Sequence, residues 1–293
     1  MEQGYTDGLQ SHTPIWRRRE SAIEELKDSL NKKRVLREVT LALRTSLRDA
    51  VAEFSFLRLR GLRALLKFLR TVSHSDSDIS LFCQTQTIPD LQVVPILFKH
   101  SLKEFEEDTV ENLDCIFGVE PINITTPSTD AEVAAALRAL EGCCLLHKES
   151  SLLANHHMGV GVLMRILSKR GVLEQGVCLD ALIALLVDSS SNQADFEELH
   201  GIEEVTSLIR DKQVDEKLRL KCGEFLLVLM GHVNGKERSP MASVHEDVRK
   251  LLGEKTASLI WAASQFGSNL DAEQRLAALH IQARRVVESL DLY

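Results

Sequence analysis

The chain has 293 residues, 44% of them apolar and 5% aromatic, with a formal net charge of −8. Leu and Ala dominate and alternating runs of β-branched residues are missing, so the composition predicts an all-α protein with a large core. No eighteen apolar residues run together, and the first residues lack an apolar core, so we expect neither a membrane span nor a secretory signal. Residues 1–70 hold fifteen Lys and Arg against nine Asp and Glu, and residues 71–293 hold twenty against thirty-four. Such an acidic body disfavours nucleic acid as its main partner.

The N-terminal third predicts helices that follow a polar start. Residues 1–15 are polar and contain Gly and Pro, which indicates disorder. Ser21 is followed three residues later by Glu24, as in a capping box, and a long helical pattern continues from there. We expect this pattern to form two helices that join near Lys32. A further apolar stripe runs over residues 57–69.

The apolar pattern repeats with a shift of 42 residues. This shift places Leu137 over Leu179 and Gly159 over Gly201 without a gap. Asn192 is expected to cap the helix that follows it, and Gly201 to divide that stretch into a short and a longer helix. A helical repeat of about 40 to 47 residues is typical of armadillo and HEAT proteins, in which each unit buries its apolar face against its neighbours.

The predicted fold is therefore all-α, an armadillo/HEAT-like right-handed superhelix of stacked helical repeats. We expect residues 1–15 to form a disordered N-terminus and residues 16–293 a single armadillo-like domain. Its repeat core should span about residues 57–233. Helices at about residues 241–292 should cap the stack, because an uncapped end would expose apolar surface.

Several motifs of catalysis and metal binding were tested against the sequence. A cluster of Cys and His could suggest a zinc site, formed by Cys143, Cys144, His147, His156 and His157, but the spacing fails the usual patterns. Cys143 and Cys144 also lie inside an apolar helix, so a core interpretation is favoured over a metal site. A thiol phosphatase needs an Arg six positions after its Cys, and none of the six Cys has one. The glycine loops of nucleotide-binding proteins and the kinase signatures are also missing. We therefore predict no catalytic residue, no cofactor, no metal and no small-molecule substrate.

Charged residues leave two interpretations open. The basic runs at residues 17–19 and 32–34 could contact an acidic partner, although a solvated helix face is favoured. Carboxylates on both sides of Gly201, followed by several Lys and Arg, could line a binding surface or form salt bridges within the protein. Phe196 lies between these charges and is interpreted as a core residue.

Residues 192–226 carry a resemblance to a known family. The matching positions are Asn192-Gln193, Phe196-Glu197-Glu198, Gly201-Ile202-Glu203 and Arg219-x-Lys221-Cys222-x-Glu224-Phe225-Leu226. In these residues the chain resembles the septation initiation network component called cell division control protein 14, which is unrelated to the phosphatase of the same name. Similar sequences occur beyond fungi, including in plants. The resemblance covers residues 137–233 well and residues 62–102 faintly.

Membership of this family would imply a non-catalytic, armadillo-like scaffold that binds and supports a germinal-centre-type protein kinase during cytokinesis or mitotic exit. It would act in the cytoplasm, at spindle poles or division-site structures. The main alternative is a generic armadillo-type adaptor in trafficking or transport. The residues predicted to bind the partner are Asn192, Glu197, Glu198, His200, Arg219, Lys221 and Glu224.

Overall fold

The computed structural model describes residues 15–103, 127–187, 189–233, 240–241, 243–264 and 272–291, and every regular element in these ranges is helical. The α-helices are α1 Ile15–Ala50, α2 Ser55–Val72, α3 Asp76–Gln86, α4 Val93–Ile96, α5 Asp130–Leu146, α6 Glu149–His156, α7 Gly159–Lys169, α8 Val172–Leu186, α9 Ser190–Glu198, α10 Gly201–Arg210, α11 Glu216–Val233, α12 Val244–Leu252, α13 Glu254–Ser264 and α14 Ala272–Asp291. A 3-10 turn at Pro89–Leu91 precedes α4, and a π-helical turn at Leu97–Ser101 follows it. The expected all-α class is confirmed for this part of the chain.

Contacts divide the chain into two units, Met1–Ala42 and Leu43–Tyr293. In the first unit, α1 begins at Ile15, earlier than the expected start at Ser21, and continues without a break through Lys32. The expected join is therefore wrong, because residues 31–37 contain no Gly or Pro and are rich in Lys and Arg, which favour a continuous helix. The disorder predicted for residues 1–15 falls almost wholly outside the described residues. The single domain over residues 16–293 stays a prediction.

The second unit is built on a stack of long helices. Helices α2, α5, α8, α11 and α14 pack each against the next in chain order. Helices α5–α7, α8–α10 and α11–α13 form three successive groups, each of which begins with a long helix. In every group the last helix, α7, α10 or α13, packs on the long helix that follows it. The stack thus consists of three-helix groups, and the starts of α5 and α8 and of α7 and α10 lie 42 residues apart, as the sequence shift predicts.

The central helix of this stack, α8, is buried on most sides. Leu179, Leu182 and Leu185 are almost fully inaccessible, and α8 packs against α5, α7 and α11. The apolar run in α8 therefore has almost no solvent-facing side. At the C-terminal end of the stack, α12 contacts α10 in the same way as α9 contacts α7. Likewise, α13 contacts α14 as α10 contacts α11. The packing pattern therefore continues beyond residue 233 into the helices predicted as a cap.

Side-chain caps fix where the repeated helices begin. Thr129 and Glu132 form a capping box at the start of α5, with Thr129 N donating to Glu132 Oε2 at 2.6 Å. At α9 the cap is Ser189, whose hydroxyl accepts from the backbone N–H of Asn192 at 3.4 Å. The prediction that Asn192 caps this helix is wrong, because Asn192 lies inside α9 and is fully buried.

A left-handed residue followed by glycine recurs at the start of α7 and α10. Met158 has φ 53° and precedes Gly159, and His200 has φ 54° and precedes Gly201. A Cβ atom on Gly159 would lie 2.8 Å from the carbonyl oxygen of Ala154, and one on Gly201 would overlap the ring of Phe196. Both glycines are required by close packing, which gives a physical reason for their 42-residue spacing.

Candidate partner-binding surfaces

Two of the predicted partner-binding residues lie inside the protein. Asn192 donates from Nδ2 to the carbonyl oxygens of Ser151, at 3.1 Å, and Leu185, at 3.0 Å, so it ties α9 to α6 and α8. Arg219 is 6% exposed, and its Nε donates to the carbonyl oxygen of Ile209 at 2.9 Å, near the end of α10. Neither side chain reaches the surface in this structure, so both residues are corrected from partner contacts to structural ones.

Three other predicted residues lie together at the turn between α9 and α10. Glu197, Glu198 and His200 are exposed, and Leu199 between them is 45% exposed. Met158, at the corresponding turn of the preceding group, is 73% exposed. We call these five residues the corner surface. Among the described residues no ion pair involves Glu197 or Glu198, whereas His200 Nδ1 lies 3.6 Å from Glu203 Oε1.

The corner surface spans two groups of helices that are held in a fixed relation. Asn155 of α6 donates from Nδ2 to Asp195 Oδ2 of α9 at 2.6 Å. A Cβ atom on Gly161 in α7 would lie 3.8 Å from Leu199, so the turn after α9 rests against α7. Because these contacts are made within the protein, the backbone that carries the two exposed carboxylates and the apolar side chains is held in place before a partner binds.

The remaining predicted residues, Lys221 and Glu224, belong to a line of charges across the long helices. Lys221 Nζ lies 2.7 Å from Asp180 Oδ1 in α8 and 3.3 Å from Glu224 Oε2, and Glu224 Oε1 lies 3.1 Å from His280 Nδ1 in α14. With Glu141 of α5, these residues form what we call the charge ladder. It crosses four consecutive long helices.

Partial burial shifts the pKa of two members of the charge ladder. Burial alone would lower the pKa of Lys221, but the hydrogen bond to Asp180 and the charges of Asp180 and Glu224 raise it overall. Burial, and then the charge of Asp180, raise the pKa of Glu141. Lys221 therefore stays charged and offsets part of the negative charge of its two carboxylates, and the interactions join α8 to α11.

Three members of the charge ladder, Asp180, Glu141 and His280, are not among the residues predicted from the sequence. The 42-residue shift places Arg138, which is not a ladder residue, over Asp180, and it places Asp180 over Cys222 rather than over Lys221. The ladder joins side chains at different positions of successive helices, so the repeat pattern carries no signal for it.

Three Cys thiols and His147 of the central helices are buried. Burial raises the pKa of Cys144 and of Cys222 to about 12 and that of Cys143 well above its usual value, so these thiols stay protonated. His147 Nδ1 lies 3.0 Å from Ser150 Oγ and its Nε2 lies 3.1 Å from Glu149 Oε2, in the order of a hydrolase triad. Ser150 is fully buried, so its hydroxyl cannot meet a substrate.

A groove of about 610 Å³ lies where the end of α10 meets the turn between α12 and α13. Its lining includes Arg210, Lys212, Glu254 and Lys255. Its one carboxylate, Glu254, pairs with Arg249 Nε at 3.6 Å. None of the residues predicted to bind a partner lines it. Among the described residues, no three metal-ligating side chains come together, and no helix could span a membrane.

Comparison with known proteins gives one informative result. A family model described as Cell division control protein 14, SIN component, matches residues 108–281, which is more than half of the chain. Comparisons with curated proteins and with solved structures give no match. The matched region includes α5 through α13, and with them the whole corner surface and charge ladder. The chain therefore belongs to the family of cell division control protein 14, a SIN component that functions in cell division.

Proposed function

We propose that the protein is a non-catalytic scaffold that binds and supports a germinal-centre-type protein kinase in a cytokinesis or mitotic-exit pathway. Family membership supports a role in cell division. The corner surface is the observation that supports partner binding. It offers two exposed carboxylates, on Glu197 and Glu198, that no described ion pair engages, together with the exposed side chains of Leu199 and Met158.

A partner with basic and apolar residues fits this surface. Apolar contacts on Leu199 and Met158 would supply affinity through buried area, and Glu197 and Glu198 would favour partners with Lys or Arg. Because the turn is held by Asn155 and Asp195, little conformational freedom is lost on binding. Lys221 and Glu224 take a smaller part in this proposal, since a partner would have to displace their mutual ion pair.

The proposal is tested by reversing the two charges of the corner surface. In the variant Glu197→Lys/Glu198→Lys, the affinity for a purified germinal-centre-type kinase from the same organism should fall about tenfold or more, because two favourable charge contacts become repulsive. The free energy of unfolding should change by less than about 1 kcal/mol, since both carboxylates are exposed. Titration calorimetry and thermal unfolding measure the two quantities.

A matched control reverses two exposed carboxylates of α14, in Glu273→Lys/Glu288→Lys. It changes the net charge equally and should leave kinase binding within about twofold of the wild type. Equal kinase binding by the corner variant and the control would refute the corner surface. A wild-type protein that recovers coat or cargo proteins from dividing cells, and no kinase, would instead support the adaptor in trafficking or transport.

We also propose that the protein works in the cytoplasm, at spindle poles or division-site structures during mitosis. This follows from the family's part in cell division. A fluorescent fusion followed through the cell cycle tests it. A signal that never concentrates at poles or division site in mitotic cells would contradict the proposal.

A further inference from the structure

The first long helix of the stack, α2, has a solvent-facing side that is basic along its length. Arg60, Arg63, Lys67 and Arg70 are exposed and follow one another at three- and four-residue spacing, which places them on one side of the helix. The row is about 15 Å long, at 1.5 Å per residue. Helix α2 contains no Asp or Glu.

Among the described residues, no acidic side chain pairs with three of these cations. Arg60 pairs with Asp49 at 2.9 Å, and Asp49 also lies 3.5 Å from Arg48. In the part of the chain that the structure describes, no ion pair or hydrogen bond engages the side chains of Arg63, Lys67 or Arg70. Their charges therefore face solvent and attract anions at distances up to about 8–10 Å at physiological salt.

Neighbouring helices extend the basic side of α2. Arg44 and Arg48, from the last turns of α1, are exposed on one flank. On the other flank α5 runs parallel to α2, since Arg58 meets Glu132 near their starts and Leu69 meets Gly142 near their ends. The exposed Arg138 of α5 therefore lies level with Arg63. We call the exposed cations the basic face: Arg44, Arg48, Arg60, Arg63, Lys67, Arg70 and Arg138.

The carboxylates near the basic face do not balance it. They include Asp49, the exposed Glu53, Glu141, which lies one turn beyond Arg138, and Asp76 and Asp78 at the start of α3. Residues 43–72 hold seven Lys and Arg against two Asp and Glu, whereas residues 73–293 hold twenty against thirty-four. A concentrated positive region therefore lies on a protein that is otherwise acidic.

An aromatic pair stands at one end of the row. Phe56 precedes Arg60 by four residues, so it continues the same side of α2, and it is 68% exposed. Phe54 is 59% exposed and stacks on it, with ring centroids 5.9 Å apart. Exposed aromatic residues of this kind are enriched where proteins meet one another.

We propose that the basic face docks an Asp/Glu-rich segment of a partner protein, with an apolar residue of that segment on Phe54 and Phe56. Charge complementarity favours a short acidic segment, because about 15 Å of helix offers room for three or four carboxylates. A long polyanion, such as RNA or an anionic bilayer, would extend beyond the face and meet the acidic remainder of the protein. The inference does not depend on the kinase proposed for the corner surface.

The probe is a short labelled peptide whose Glu residues alternate at three- and four-residue spacing around a Leu, and its control is the same peptide with Gln for every Glu. The intact chain should bind the Glu peptide with a Kd of about 10 µM or tighter. Binding should weaken as salt is raised. The Gln peptide should bind at least about tenfold more weakly.

Two variants locate the binding. Arg63→Glu/Lys67→Glu/Arg70→Glu should weaken binding of the Glu peptide by at least about tenfold. Lys148→Glu/Lys217→Glu/Arg284→Glu reverses three exposed cations elsewhere and should change it less than about twofold. Thermal unfolding of both variants verifies that they remain folded. The corner variant Glu197→Lys/Glu198→Lys should bind the Glu peptide as the wild type does, which separates this inference from the kinase proposal.

Two results would overturn the proposal. The first is equal binding of the Glu and Gln peptides by the wild type, and the second is equal loss of Glu-peptide binding in the two triple variants. Single-stranded RNA and vesicles containing phosphatidylserine are titrated in parallel. If either of these binds through Arg63, Lys67 and Arg70 while the Glu peptide does not, the basic face serves that polyanion and the assignment to a protein segment is wrong.

Discussion

Gly201 shows how one residue can control the geometry of a repeat. Its backbone lies against the ring of Phe196, which is fully buried and packs on Phe225 with ring centroids 5.9 Å apart. Because Phe196 ends the apolar side of α9 and Gly201 begins α10, this contact sets the distance between the two helices. The corner surface is built on the residues between them.

Substitution of Gly201 by Ala should therefore destabilise the protein. The added methyl group would overlap a ring that its neighbours hold in place, so a loss of about 3 kcal/mol is expected in denaturant unfolding. Gly176→Ala in α8 is the control. A Cβ there meets nothing within 4 Å, so this variant should gain about 0.5–1 kcal/mol.

A double-mutant cycle gives the decisive measurement. If the overlap with the ring is the cause, Phe196→Leu should remove much of the cost of Gly201→Ala, and the two changes should be strongly non-additive. Additive losses would show that Gly201 is needed for its backbone conformation alone.

His147 should make stability depend on pH near neutrality. Burial lowers the pKa of His147, although the nearby Glu149 opposes this shift. Since the folded-state pKa lies below the unfolded value of about 6.5, the stabilisation is complete above pH 6.5 and is lost as the pH falls towards the folded-state pKa. In His147→Gln, urea unfolding between pH 7.5 and about 5.5 should show a smaller acid-induced loss than in the wild type. If the free energy of unfolding depends on pH equally in His147→Gln and in the wild type, the acid-induced loss of stability comes from other groups.

The partner-binding residues show the limit of prediction at this scale. A sequence identifies Asn192 and Arg219 as polar, but it does not reveal that Ser151, 41 residues away, and Ile209 supply carbonyl oxygens to them. Asn192 and Ser189 are both good capping residues, so only the structure decides between them. Glu197, Glu198 and His200 are polar residues beside Gly201 at the turn between two helices, where side chains usually face solvent, and all three are exposed.

At the scale of helices, a buried ion pair joins α2 to α5. Arg58 Nε lies 2.9 Å from Glu132 Oε1, and Arg58 also donates to the carbonyl oxygen of Glu53 at 2.7 Å. Both side chains are almost inaccessible to solvent. The pair therefore connects the turn before α2 with the capping box of α5.

Breaking this pair should be costly. In Arg58→Met, the carboxylate of Glu132 would remain buried without its cation, so the free energy of unfolding should fall by about 3–5 kcal/mol. Arg60→Met removes the exposed pair with Asp49 and should cost less than about 1 kcal/mol. If chemical denaturation shows the same loss of unfolding free energy in Arg58→Met and Arg60→Met, the burial of the Arg58–Glu132 pair does not make its loss more costly than that of an exposed pair.

Helix positions were predictable where the apolar pattern repeats. The 42-residue shift located α5 to α10 because α5–α7 and α8–α10 are two copies of one unit. Each copy has a long helix, then a short helix, then a third helix, and the helices of the two copies align without an insertion. After Leu220 the apolar register is lost, so the sequence did not reveal that α12 and α13 pack as α9 and α10 do. Packing of this kind depends on residues far apart in the chain, which a local period does not contain.

At the scale of the whole second unit, stability should vary along the stack. Helix α8 packs between α5 and α11, while α14 packs on α11 and α13 and exposes Leu276 and Ile281. In stacked repeats, an end helix is stabilised by an interface on one side only. Amide hydrogen exchange should therefore be slowest in α8 and clearly faster in α14. Equal protection of the two helices would indicate that the stack opens as a single cooperative unit.

The nearest-neighbour packing of the long helices also has a mechanical consequence. The main contacts of each group are with the group before and the group after it. Any small rotation at one junction is therefore carried to the groups beyond it, and such rotations add along the stack. The basic face lies on α2, whereas the corner surface lies between α7 and α10, so bending of the intervening helices would alter their separation. Two ligands bound at these places would then be linked by an elastic element whose stiffness is set by α5 and α8.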